Sequence, residues 1–255
     1  MRRQLTAWRM VEAQHVLATA KLVDNAEEQE LLERMIDAAK PSAPKSPSLR
    51  ATGLHYLLAG PFRYPPLRHG SRFGSAHHRG IWYGARQLDT VLAEVAFYRL
   101  LFLAGTKAKL GPVETTHTAY SVPLKSARAV DLSRPYFHSV RNDLLDPTSH
   151  IAGRAFGDGL RDASIDLLLF PSARAPATRG KARDADAKDA NARDNVAAFS
   201  ARAFAAREPT AESFQTWRCM TRAELVTFWR LPPKPRSLAF SRQEFLIRGK
   251  LPDLS

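Results

Sequence analysis

The chain has 255 residues, enough to bury a sizeable core, and one domain with additional segments is the natural expectation. Hydrophobic residues make up 44% and charged residues 25% of the sequence, which excludes a disordered chain, and the lack of any run of about 18 apolar residues argues against a membrane-spanning helix. The single cysteine, Cys219, excludes an internal disulfide and a cysteine-based metal site, while a net charge of +13 attracts phosphate groups whatever their carrier.

The basic residues are spread along the chain rather than collected in one tail. This distribution is compatible with a phosphate-bearing small molecule, an acidic protein partner or RNA, and the charge alone does not choose among them. The N-terminal stretch MRRQLTAWRMVEAQHVL begins with a basic pair but has neither an unbroken apolar segment nor a small-residue cleavage site. We therefore expect no secretory leader and a cytoplasmic location.

The first forty residues predict a helical hairpin. One helix is expected over residues 5–22, and a second follows Asn25, which forms a capping-box-like pair with Glu28. The apolar residues of the second helix recur at helical spacing; they are Leu31, Leu32, Met35 and Ile36. We expect this hairpin to pack on the main domain or on another chain.

A Pro/Ser-rich linker is predicted over residues 41–50, so the compact domain is expected over 51–255. After the linker, GLHYLLAGPFRYPP predicts a short strand and an extended turn, GIWYGA a strand, and DTVLAEVAFYRLLFLAG a helix. Further strands are predicted in VETTHTAYSVPL, ARAVDL, SIDLLLFPSA, NVAAFSARAF, FQTWRCM and ELVTFWRL, and a second helix in PTSHIAGRAFGDGLRD. This pattern favours an α+β fold with a mixed sheet and few helices. Residues 174–194 lack large apolar side chains and are predicted to form a flexible surface insert.

Three polar residues stand at regular intervals in the first part of this domain. Tyr83 follows Arg72 by eleven residues, and Glu94 follows Tyr83 by eleven more. Glu94 is a lone acid in an otherwise apolar helical stretch, AEVAF, and Ser172 and Asn195 come later in FPSAR and DNVAAF. This arrangement resembles the RES domain over roughly residues 53–204.

The resemblance implies an ADP-ribosyltransferase-like fold and an enzyme that consumes NAD+, by phosphorolysis, by hydrolysis or by transfer of ADP-ribose to a protein. It further implies a toxin of a bacterial toxin–antitoxin pair, with an Xre-type antitoxin that covers the active site in a higher-order complex. Direct binding to nucleic acid or to a membrane is not expected.

The residues that carry the resemblance have suitable chemistry for NAD+. Guanidinium groups grip a pyrophosphate, and Arg63 and Arg72 are the candidates. Glu94 would stabilise the positive charge that develops on the ribose when the nicotinamide bond breaks. Tyr83 offers a ring for stacking and a hydroxyl for orientation.

Further candidates for binding the substrate follow later in the chain. Ser172 is expected to hold Glu94 or the ribose, and Asn195 to bind the nicotinamide amide. Ser149 is the rival of Ser172 for the family's serine and has an alternative interpretation as a helix cap.

No metal is expected. His69, His77 and His78 lie close in sequence, but neighbouring histidines of a regular strand cannot both face one ion, and no carboxylate stands at ligand spacing. A second hypothesis for the whole chain, based on its charge, is a basic nucleic-acid-binding or ribonuclease-type protein. A third is an interaction subunit that binds an acidic protein through its N-terminal residues; this hypothesis is compatible with the first.

Overall fold

The structure, a computed structural model, describes residues 3–12, 53–63, 70–108, 110–174 and 194–252, together with residues 28, 31, 32 and 35. These residues form one sheet of nine strands in the order β4-β5-β6-β2-β1-β3-β7-β8-β9. The strands are β1 Arg3–Glu12, β2 Trp82–Ala85, β3 Val113–Ser126, β4 Ala129–Asp131, β5 Leu167–Pro171, β6 Asp194–Ala198, β7 Gln215–Thr221, β8 Leu225–Arg230 and β9 Arg236–Ser241. Strands β4 and β5 are parallel and the other neighbours antiparallel, so the predicted mixed sheet is confirmed.

Four helices accompany the sheet in the described residues from 53 onward: α1 Tyr56–Arg63, α2 Leu88–Gly105, α3 Arg141–Leu144 and α4 Ile151–Asp162. With the nine strands they make the predicted α+β fold. Helix α1 replaces the short strand and extended turn expected there, because its Leu58 and Phe62, four positions apart, pack together into the core. None of the helices in the described ranges is both long enough and apolar enough to cross a membrane.

The predicted first helix of the N-terminal hairpin, over residues 5–22, is not found in the part that the structure describes, so that prediction is wrong there. Residues 3–12 form strand β1, which pairs with β3 from Arg3↔Ser126 to Glu12↔His117 and with β2 at Trp8↔Ala85. Successive residues of β1 point to opposite faces of the sheet, so that Ala7 packs in one core cluster and Met10 in another. Long-range pairing with β3 therefore overrides the local preference for helix.

The second helix of the hairpin is only partly covered by the structure. Residues 28, 31, 32 and 35 are helical, and Leu31 and Met35 are exposed, so these residues do not show an apolar stripe packed on the domain. The rest of the hairpin, the linker over residues 41–50 and residues 175–193 of the predicted insert lie outside the described residues.

Two groups of elements cover the same face of the sheet. Helix α2 packs over β1, β7 and β8, while α4 and the segment 70–81 pack over β5 and β6. Strand β2 links the two groups, since Tyr83 packs against the α4 group and Ala85, two residues further along the same face, packs under α2. A gap between the two groups follows from this arrangement, with β2 and β6 as its floor.

Candidate active site

A cavity of about 320 Å³ opens on this face between α2 and the segment 70–81. Its polar lining comes from six separate parts of the chain: β1, the segment 70–81, β2, α2, the end of β5 and the start of β6. The side chains that matter for chemistry are Arg72, Tyr83, Glu94, Tyr98, Arg174 and Asn195. The three regularly spaced residues of the sequence, Arg72, Tyr83 and Glu94, therefore line one cavity.

Glu94 reaches the cavity because α2 is buried on most of its other sides. Val91, Leu92, Ala96 and Phe97 are at most 7% exposed, whereas Glu94 is partly exposed and lines the cavity together with Tyr98, one helical turn further on. The buried side of α2 is apolar, and Glu94 is the carboxylate of this helix that lines the cavity. The other acid of the helix, Asp89, pairs instead with Arg236.

Two donors fix one oxygen of that carboxylate. The Ser172 hydroxyl and the Asn195 side-chain amide each donate to Oε1 of Glu94 at 2.7 Å. Both donors come from the same end of an antiparallel pair, because Ser172 follows β5 directly and Asn195 lies opposite Phe170 at the start of β6. Among the described residues no group bonds to Oε2, so that oxygen keeps its full capacity to accept hydrogen bonds from a ligand.

Tyr83 holds the turn that carries Arg72. Its hydroxyl accepts a hydrogen bond from the Phe73 backbone N–H at 3.2 Å and shares a hydrogen bond of 2.9 Å with the Ser71 hydroxyl. Burial raises the pKa of Tyr83 to about 12, although both hydrogen bonds act in the opposite direction. The phenol is therefore neutral at physiological pH and orients its neighbours rather than accepting protons.

Helix α4 supports the same turn from behind. A Cβ at Gly157 would collide with the carbonyl oxygen of Phe73, and one at Gly153 with the carbonyl oxygen of Arg72. The two glycines are four residues apart and so share one face of α4. The backbone of the Arg72 turn lies directly against this glycine face. The Arg72 guanidinium in turn donates to the backbone carbonyl of Asp146 at 2.8 Å.

Arg174 is a functional candidate that sequence reasoning missed. It is only 4% exposed, lines the cavity, and its guanidinium carbon lies 3.4 Å from the centre of the Phe97 ring. Its backbone N–H donates to the Ser172 hydroxyl at 3.0 Å, while its side-chain Nε is buried and has no hydrogen-bond partner among the residues that the structure describes. Burial lowers the pKa of Arg174, and the nearby Glu94 carboxylate acts against this shift. A buried arginine next to a cavity is suited to bind an anion.

Arg9 also lines the cavity and was missed because β1 was expected to be a helix. It donates to the backbone carbonyl of Tyr83 at 2.8 Å and lies over the Trp82 ring. The sequence signal that could have identified β1 as a strand is the alternation of its side chains between the two faces of the sheet. For Arg174, its place two residues after the candidate serine in FPSAR was the only signal available.

Two sequence candidates lie apart from this cavity. Arg63 ends α1, whose Leu58 and Phe62 pack in the core cluster on the other face of the sheet, and it is not among the cavity-lining residues that the structure describes. The Ser149 hydroxyl accepts the Ile151 backbone N–H at 3.3 Å just before α4, whose N-cap residue is His150, so Ser149 satisfies a backbone donor of the first turn without being the cap residue. Of the two candidate serines, Ser172 is the one bonded to Glu94.

Comparison with known proteins adds one match. The family model described as RES domain matches residues 48–221 of this chain. The matched range contains the Arg72 turn, β2, α2 and the ends of β5 and β6. A search of curated proteins gave no match.

Proposed function

Because the chain belongs to the RES domain family, which is associated with NAD-related toxin activity in toxin–antitoxin systems, we propose that it cleaves the nicotinamide–ribose bond of NAD+. The observation that carries this proposal is the double hydrogen bond from Ser172 and Asn195 to one oxygen of Glu94. A carboxylate held in this way can stabilise the positive charge that develops on the ribose, because it does not have to move during the reaction.

Glu94 is the catalytic residue of this proposal. When the glycosidic bond breaks, nicotinamide leaves as a neutral molecule with the bonding electron pair, and positive charge builds on the ribose. The oxygen Oε2, which has no partner among the described residues, accepts a ribose hydroxyl and stabilises that charge. Because the leaving group is neutral, the step needs no strong general acid.

Arg72 and Arg174 bind the pyrophosphate in this proposal. Both line the cavity beside Glu94, and guanidinium groups match phosphate oxygens with paired hydrogen bonds. Arg174 supports the assignment most directly, since its buried Nε has no partner in the described part of the chain and its guanidinium lies over the Phe97 ring. Tyr83 keeps the Arg72 turn in place and offers its ring to the nicotinamide ribose.

We further propose that the second substrate is phosphate, water or a protein side chain, which would make the enzyme a phosphorylase, a glycohydrolase or a mono-ADP-ribosyltransferase. An Xre-type antitoxin is the expected inhibitor and partner. Phosphorus NMR of NAD+ products, with and without inorganic phosphate, distinguishes ADP-ribose-1″-phosphate, free ADP-ribose and protein-bound label.

The experiment that tests the proposal is release of nicotinamide from NAD+ by the purified chain, free of any bound inhibitor. Glu94→Gln keeps the size of the side chain and removes its charge, and we expect the rate to fall by about 100-fold or more. The matched control is Glu224→Gln, since Glu224 is a surface glutamate that pairs with Arg242. An unmodified chain that leaves NAD+ intact and labels no protein would contradict the proposal.

A further inference from the structure

Two adjacent histidines outside the cavity lie on a tight turn rather than on a strand. The turn is closed by the His78 backbone N–H, which donates to the carbonyl oxygen of Ser75 at 3.1 Å. The ring centres of His77 and His78 are only 4.4 Å apart. Neighbouring histidines point to opposite sides of a strand, but on this turn the two rings lie side by side.

The fold also supplies the carboxylate that sequence spacing appeared to exclude. Asp158 of α4 brings its Oδ1 to 3.2 Å from Nε2 of His78, and one ligand atom from each of His77, His78 and Asp158 lies within 4.8 Å of the others. This proximity arises because α4 and the segment 70–81 are in direct contact at Gly157, the neighbour of Asp158. The expectation that no carboxylate accompanies these histidines is therefore wrong.

A buried serine orients the carboxylate. The Ser75 hydroxyl, on a residue only 9% exposed, lies within hydrogen-bond distance of both Asp158 oxygens, at 3.0 and 2.9 Å. Metal-binding carboxylates commonly have such an outer hydrogen bond, which fixes their orientation. His77, by contrast, is exposed and free to adjust its side chain.

From this geometry we propose that His77, His78 and Asp158 bind one divalent transition-metal ion, with Zn²⁺ the best match. Tetrahedral coordination at about 2.0–2.2 Å sets neighbouring ligand atoms about 3.3 Å apart. The His78–Asp158 pair already has this spacing, and closing the distance to the His77 ligand atom from at most 4.8 Å to about 3.3 Å completes three ligands, with water as the fourth. Two imidazoles and one carboxylate favour Zn²⁺ over Mg²⁺ or Ca²⁺, which prefer oxygen ligands.

The proposed metal site has no residue in common with the cavity of Glu94, but both are built on the segment 70–81. Its histidines belong to the same segment as Arg72, and its aspartate belongs to the helix that supports the Arg72 turn. The segment 70–81 already packs on α4 at Gly157, and a bound ion would link the two a second time. Because the ion binds only the folded chain, it raises the free energy of unfolding. The inference does not depend on the proposed function.

The test is titration of the full chain with Zn²⁺ by calorimetry, after removal of any purification tag and of bound metal. We expect one ion per chain with micromolar or tighter affinity, and no binding of Mg²⁺. His77→Ala and Asp158→Asn should each weaken binding by about tenfold or more, because even outer partners of a metal site are worth about 10–100-fold in affinity. The matched control is His138→Ala, an exposed histidine outside the cluster that should leave binding unchanged.

Thermal unfolding gives a second readout that does not use activity. Zn²⁺ should raise the unfolding temperature of the unmodified chain and of His138→Ala, but not of His77→Ala. His77 is exposed, so its replacement leaves the core intact. Absence of stoichiometric Zn²⁺ binding, or equal weakening by His77→Ala and His138→Ala, overturns the proposal.

Discussion

Ser172 donates a hydrogen bond of 2.7 Å to Glu94 from the end of a strand 78 residues further along the chain. The same hydroxyl accepts the backbone N–H of Arg174, so one serine connects the candidate catalytic carboxylate with the chain that carries a candidate phosphate-binding arginine. Replacing this serine therefore tests the site without touching either charged group.

We expect Ser172→Ala to lower kcat for nicotinamide release by about tenfold, because a hydrogen bond to a charged group is worth about 1.5–3 kcal/mol. KM should change little, since Arg72 and Arg174 remain. The comparison variant is Ser149→Ala, which removes one hydrogen bond to the backbone at the start of α4 and should cost about 0.5–1.5 kcal/mol of stability while kcat is retained. Steady-state kinetics of both variants decide which serine supports Glu94. Loss of activity in Ser149→Ala but not in Ser172→Ala would favour Ser149 as the family's serine.

Arg174→Met retains much of the side-chain volume and removes the charge. We expect KM for NAD+ to rise by roughly tenfold or more, with a smaller effect on kcat, because charge-assisted bonds to the pyrophosphate are lost. Arg218→Met is the control, since Arg218 forms a surface pair with Glu114. Circular dichroism verifies that both variants are folded, so that a higher KM reports weaker binding of NAD+ and not unfolding. An unchanged KM would remove Arg174 from the substrate site.

Gly157→Ala and Gly159→Ala form a matched pair on one helix. The first introduces a Cβ that meets the Phe73 carbonyl oxygen, whereas at Gly159 nothing lies within 4 Å of the added atom. We expect Gly157→Ala to displace the Arg72 turn and to lower both activity and unfolding temperature. Gly159→Ala should stabilise the chain by about 0.5–1 kcal/mol through helix propensity. Equal behaviour of the two variants would argue against close packing of the turn on α4.

Tyr83 makes stability depend on pH in the alkaline range. Its folded-state pKa of about 12 lies above the ordinary tyrosine pKa of 10.0, so the unfolded chain releases this proton first. The contribution is fully present below pH 10, and the free energy of unfolding falls as the pH rises towards 12. We expect Tyr83→Phe to flatten this decline, although other buried tyrosines maintain part of it. Denaturant unfolding at several pH values measures the slope, and identical slopes would contradict the burial of the phenol.

Local sequence patterns were sufficient where the residues of an element carry a clear helical or strand pattern of their own. The apolar pattern around Glu94 predicted α2, and the short β-branched runs predicted most strands of the sheet. The spacing of Arg72, Tyr83 and Glu94 identified three residues that line one cavity. These features depend on period and spacing, which are visible in the sequence alone.

Features that depend on contacts between distant parts of the chain were missed. Strand β1 is defined by pairing with β3, more than a hundred residues away, and its residues also suit a helix. Asp158 meets His78 only because α4 packs against the segment 70–81. Arg174 could not be identified as buried from its neighbours, because arginine is rarely buried and its stacking partner Phe97 lies on another element.

The position of β1 affects how the chain can be shortened. The region matched by the family begins at residue 48, yet β1 lies between β2 and β3 in the middle of the sheet. A fragment cut to the matched region would expose the long edge of β3 and the edge of β2 that borders the cavity. Bare edges of this kind recruit strands from other molecules, so such a fragment should aggregate or exchange strands between copies instead of reporting the activity of an isolated domain.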